Sequence, residues 1–96
     1  MNVRLLEPAR DEFLAAVEFY EEQQQGLGEQ FIQRIESILE RLRTTPRIGT
    51  PFEASTRKVV LRHFPFNVIY TVDENTVVVV AIAHQHRKPG YWSNRL

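Results

Sequence analysis

Between residues 9 and 42 apolar side chains return at every third or fourth position, and from residue 57 the rhythm becomes alternation and then an unbroken apolar run. The first rhythm belongs to amphipathic helices, whose buried stripe follows the 3.6-residue turn, and the second to strands, whose side chains alternate between faces. Ala9, Phe13, Ala16, Val17 and Tyr20 predict a helix over residues 8–25, with Pro8 suited to its first position. Asp11 and Glu12 fall near the positive end of its dipole. Gly26-Leu27-Gly28 then supplies a glycine to end that helix and a permissive start for the next. Phe31, Ile35, Ile38, Leu39 and Leu42 form the stripe of a second helix, which closes on Arg41 and Arg43 ahead of Pro46.

Strand signals flank this helical hairpin. Residues 2–6, NVRLL, read as a short first strand, and residues 46–56, PRIGTPFEAST, as an irregular connection rich in turn formers. The segment RKVVLR, 57–62, puts Lys58, Val60 and Arg62 on one face and Val59 and Leu61 on the other. After HFPF, the run FNVIYTV, 66–72, places Phe66, Val68, Tyr70 and Val72 together. Asp73-Glu74-Asn75 is hairpin chemistry, and TVVVVAIA, 76–83, is β-branched and apolar throughout. A run of that kind is covered on both faces or lends one to an interface, so it leaves a homodimer open. The order is β-α-α-β-β-β, an α+β fold with the helical hairpin packed on one face of a small, mostly antiparallel sheet. At 96 residues the expectation is a single domain, 1–96.

Composition narrows the chemistry. The absence of cysteine excludes disulfides, thiolate catalysis and thiolate zinc sites. No apolar run approaches the about 20 residues a membrane span requires, and the N-terminus turns charged too early for a secretory leader, so a cytoplasmic protein without membrane contact is expected. Formal net charge is zero, which argues against holding nucleic acid through bulk positive charge. The average hides an asymmetry: residues 1–53 carry six Lys/Arg against ten Asp/Glu, whereas residues 54–96 carry six against two, with all three histidines. That split points to a binding surface on the basic half.

The ten residues AHQHRKPGYW, 83–92, concentrate the candidate groups. His84 and His86, at strand spacing, would share a face and could form two metal ligands with His63 as a remote third. No carboxylate accompanies them, however, and Arg87 and Lys88 would repel a cation, so neither metal nor cofactor is expected. The pair suits acid-base work, given the near-neutral pKa of imidazole, or a plain polar strand end. Arg57, Lys58 and Arg62 form either a functional cation patch or solvated strand residues that discourage edge pairing. Tyr91 and Trp92, following Pro89-Gly90, can fold back to seal the sheet or serve a partner contact.

The order of elements, together with FYEEQQQGLGEQF, PRIGTP, RKVVLRHFPFNVIY and AHQHRKPGYW, resembles the RelE/ParE superfamily of type II toxin-antitoxin toxins, and within it the ParE-like plasmid stabilization branch. The resemblance implies a toxin held inactive by a cognate antitoxin. RelE-like relatives are metal-free endoribonucleases that cut mRNA in the ribosome, which requires a base, an acid and cations around the developing phosphorane-like charge. ParE-like relatives bind and inhibit DNA gyrase and need no such set.

Carried onto this chain, the RelE-like pattern matches Lys58 and Arg87 but meets Val60 and Asn67 where two further cations belong. Lys58, Arg62, Arg87 and His86 are the candidate catalytic residues under that reading, with His84 and Tyr91 as alternatives to His86. Arg57, Lys58, Arg62, Arg87, Lys88, Tyr91 and Trp92 are the candidate binding residues under the gyrase reading, which the incomplete cation set favours. A third reading is a non-toxic interaction domain that keeps the fold without the activity.

Overall fold

In chain order the computed structural model, which describes residues 1–96, contains β1 (Asn2–Leu5), α1 (Glu7–Gln23), α2 (Leu27–Thr44), β2 (Thr50–Pro51), β3 (Arg57–Val60), β4 (Phe66–Asp73) and β5 (Thr76–His84). Short 3₁₀ turns occupy Glu53–Ser55 and Ser93–Arg95. The strands form one sheet in the order β1-β5-β4-β3-β2, with β1 parallel to β5 and the remaining pairs antiparallel. The expected α+β order is therefore present. The connection at 46–56 also contributes β2, a two-residue edge strand opposite Arg57 and Lys58, which its turn-rich sequence does not announce.

Boundaries shift where tertiary hydrogen bonds compete with local pattern. The first helix ends at Gln23, two residues short of the expectation, because Gly26 adopts a left-handed φ of 89° and starts α2 instead of ending α1. Glu21 reaches across this turn: its carboxylate accepts from the Gly26 N–H at 3.0 and 3.2 Å and from the Gly28 N–H at 3.0 Å. A carboxylate at that end satisfies orphan donors and complements the helix dipole. Gly28 is further required by close packing, since a Cβ there would lie 2.8 Å from the Val17 carbonyl oxygen of α1. The third strand ends at Val60 rather than residue 62, and His63 turns the chain with a φ of 69°.

Two apolar layers sandwich the sheet. The larger lies beneath the helices: Phe31 stands at its centre, with its ring 5.4 Å from Tyr20, 5.2 Å from Phe64 and 5.1 Å from Phe66. The smaller covers the opposite face and consists of Ile69, Val80, Ala81, Ala83 and Trp92, with Leu6, Phe52 and Tyr91 packed on it. Between the two layers, β5 is bounded by β1 and β4, so its apolar run is buried within one chain and requires no second copy.

A bulge allows β5 to serve both layers. Tyr70 pairs with Val79 but Ile69 pairs with Ala81, which leaves Val80 as the extra residue. Val77 and Val79 point beneath the helices, and past the bulge that role passes to Ile82, while Ala81 and Ala83 turn to the open face. The shift also places His84 opposite Phe66, with ring centroids 5.1 Å apart.

Candidate functional site

The open face of the sheet carries a small cleft of about 190 Å³ between β3, β4, the end of β5 and the tail. Ile69 and Ala83 form its floor. Lys58 stands on one side, its Nζ 4.4 Å from the centroid of Phe52, which in turn packs 6.1 Å from Trp92. On the other side the Arg87 guanidinium stacks 3.9 Å from the Tyr91 ring centroid, and Lys88 completes the rim. None of these three cations is held by a carboxylate, because the two ion pairs of the chain join Glu12 to Arg95 and Glu40 to Arg43. The cleft is thus a positive recess with aromatic walls. Its volume lies below the roughly 300 Å³ at which small-molecule pockets begin, so it suits a protruding side chain or phosphate better than an enclosed substrate.

Register explains which groups point here. Lys58 pairs with Ile69, and Val60 pairs with Asn67, so all four project onto the open face. The two positions where a RelE-like cation would stand are therefore occupied by directly opposed neighbours, one apolar and one neutral. Val60 is 55% exposed, and Asn67 accepts a 3.3 Å hydrogen bond from the Gln85 side chain.

The remaining expected residues scatter. Arg57 pairs with Tyr70 and faces the helical side, where its guanidinium donates to the Arg47 and Gly49 carbonyls at 3.1 and 2.8 Å. It braces the 46–49 loop rather than joining Lys58. Arg62, expected on the face of Lys58, lies beyond the end of β3 and lines a separate hollow with Arg34 and Arg41 of α2. His84 packs on Phe66, and His86, past the strand end in a turn, sits with its ring 5.0 Å from that of His84. His86 does not line the cleft, whereas His84 does, so of the two tail imidazoles it is His84 that stands in the same recess as Lys58 and Arg87. Trp92 is only 2% exposed and acts as a wall and core seal; it offers no free contact surface.

The tail is held by a network that composition and spacing did not suggest. Glu12, on the stripe of α1 beside Ala9 and Ala16, accepts from Arg95 at 2.9 and 3.0 Å, from the Tyr91 hydroxyl at 2.6 Å and from the Ile82 N–H at 3.1 Å. Arg95 also donates to the Val80 carbonyl at 3.1 Å. Once β1 ends, this edge of β5 lacks a strand partner, and the ion pair supplies the missing acceptor and donor. Burial, followed by the hydrogen bond to Glu12, pushes the Tyr91 hydroxyl far above the ordinary tyrosine pKa. That hydroxyl stays protonated at neutral pH and donates to Glu12, which leaves it unsuited to act as base or acid in the cleft. The only sequence signal for the network is a carboxylate bordering the apolar stripe of a helix.

Known proteins point in one direction. A family model described as the ParE toxin of the type II toxin-antitoxin system, parDE, matches residues 3–89. Among solved structures, the chain is similar to a chain of the chromosomal ParDE TA system from P. aeruginosa, with a TM-score of 0.64 and 18% identity, over 88% of this chain and 95% of that one. At that identity the likeness is one of fold alone. A comparison with curated proteins finds no match.

Proposed function

The chain belongs to the ParE toxin family of type II toxin-antitoxin systems, and from that premise we propose that it inhibits DNA gyrase by binding it and is neutralised by a cognate antitoxin. The observation that carries this reading is the opposition of Val60 and Asn67 on the open face beside Lys58. Cleavage through a ribose 2′-hydroxyl develops negative charge that a preorganised set of cations must stabilise, and a valine and an amide cannot replace two of them. Binding imposes no such demand. An arginine stacked on a half-buried tyrosine ring, beside the buried Trp92, is of the composition favoured in protein interfaces, where arginine and aromatic rings contribute most.

Lys58, Arg87 and Lys88 form the contact rim, with the Tyr91 ring supporting Arg87. Purified chain added to gyrase and relaxed plasmid should block supercoiling or trap cleaved DNA at stoichiometric amounts. Full supercoiling in the presence of excess toxin sinks the proposal. A translation extract primed with defined mRNA separates the ribonuclease reading: discrete cuts within codons would reinstate it, and intact message is expected.

A further inference from the structure

We propose that Glu12 is a positioning residue for the Lys58–Arg87 cleft: its carboxylate on α1 fixes the Tyr91 ring, and the ring fixes the guanidinium of Arg87. The effect on activity rests on the gyrase reading, whereas the placement of Arg87 does not. The Arg87 side chain has no carboxylate partner and no hydrogen bond of its own, and its guanidinium lies 3.9 Å from the Tyr91 ring centroid. Whatever orients that ring therefore orients the cation. Gly90, with a φ of 73°, and the 3.2 Å bond from the Tyr91 N–H to the Lys88 carbonyl set where the tail turns, but neither sets the direction of the Tyr91 side chain. Its hydroxyl supplies that constraint by donating to Oε2 of Glu12 at 2.6 Å.

Each oxygen of Glu12 meets two donors: Oε1 accepts from the Ile82 N–H and Nη1 of Arg95, and Oε2 from the Tyr91 hydroxyl and Nη2 of Arg95. A carboxylate held by four donors, two of them on a guanidinium fork, cannot turn away, so the acceptor it offers Tyr91 has a fixed position. Charge adds to this geometry. A phenol that donates to a carboxylate has a more electron-rich ring, and a cation is drawn more strongly to the face of such a ring. Arg95 also lies near the ring, 5.2 Å from its centroid, but it is tied to Glu12 and to the Val80 carbonyl and does not line the cleft. The cleft side of the ring is left to Arg87. An ion pair that served stability alone would need only Arg95, and the bond to the Tyr91 hydroxyl is what connects α1 to the cleft.

The test compares the ¹⁵N-labelled full chain with Tyr91→Phe, which removes the hydroxyl and keeps the ring, and with Glu12→Gln, which keeps one oxygen and loses the charge. Glu21→Ala, at the helix junction, is the control for lowered stability with an intact tail. All are measured well below their melting temperatures, and Tyr91→Phe carries the test if Glu12→Gln does not fold. In the wild type the Arg87 Nε–H resonance should stand upfield of a free arginine, because it sits over a ring. It should move at least halfway to the free value in Tyr91→Phe and Glu12→Gln and stay in place in Glu21→Ala. Gyrase inhibition should fall about fivefold in the first two and hold in the third. Neither substitution should deepen the loss caused by Arg87→Ala, since Glu12 then has no cation to place. An unmoved Arg87 resonance in the folded variants, or losses that add to that of Arg87→Ala, would overturn the proposal. If the wild type leaves gyrase untouched, the gyrase reading fails, and the resonance alone decides whether Glu12 places Arg87.

Discussion

Arg95 and Glu12, 83 positions apart in sequence, meet through two hydrogen bonds of 2.9 and 3.0 Å, with both side chains mostly buried. Removing one partner strands the other charge in a poorly solvated site, at a cost of about 3 kcal/mol. Glu12→Ala and Arg95→Ala should each lower unfolding free energy by that order in urea denaturation. The double substitution should cost clearly less than their sum, and additive losses would show that the pair is not coupled.

The same network predicts an alkaline weakness. The Tyr91 hydroxyl has its pKa raised above 10.0 by burial and by Glu12, so above that pH the unfolded chain loses a proton that the folded chain retains. Unfolding then binds fewer protons in the product state, and stability falls as pH rises from about 10. Tyr91→Phe should start less stable and show a shallower decline between pH 9 and 11. Some slope should remain, because burial raises the Tyr20 pKa as well. An unchanged slope would assign the alkaline loss elsewhere.

Gly49 is fixed by contact rather than by a turn. Its N–H donates to the Tyr70 hydroxyl at 2.9 Å, that hydroxyl donates to the Pro46 carbonyl at 2.6 Å, and a Cβ at Gly49 would lie 2.7 Å from the same oxygen. Gly49→Ala should therefore cost about 1–3 kcal/mol by displacing a buried, fully hydrogen-bonded hydroxyl. Thermal melting would register this as a fall of several degrees for a domain of this size. An unshifted melting temperature would mean that the loop relaxes freely.

At the junction of the helices, Glu21→Ala removes the acceptor for the Gly26 and Gly28 amides and should cost about 1 kcal/mol. Glu21→Gln keeps an acceptor and loses the charge. It should fall between the wild type and the alanine variant in denaturant midpoint, and equal losses would show that charge contributes nothing there.

Arg87→Glu should reduce gyrase inhibition at least tenfold while leaving the denaturation midpoint nearly unchanged, because its guanidinium rests on the Tyr91 ring without a carboxylate partner. Arg57→Glu should behave oppositely. It breaks two bonds to the 46–49 loop and lowers stability, so loss of activity in that variant would track unfolding.

Periodicity was enough to read the two helices, the later strands, the hairpin at Asp73–Thr76 and the α+β order, because each depends on residues within a few positions of one another. The family was legible on the same grounds: its motifs are short and stand in order along the chain. Tertiary structure alone decided the site. Arg57, Lys58 and Arg62 read as one patch, yet pairing with Tyr70 turns Arg57 inward and the early end of β3 moves Arg62 toward α2, leaving Lys58 to face Arg87. Nothing polar marks phase in the run from Val77 to Ala83, so the bulge at Val80 that reorients the strand end was invisible. The Glu12–Arg95 bond joins chain ends that only the packing of α1 on β5 brings together. Local pattern follows from the geometry of a helix or strand, whereas which charges meet depends on register, bulges and chain crossings that no neighbouring residue encodes.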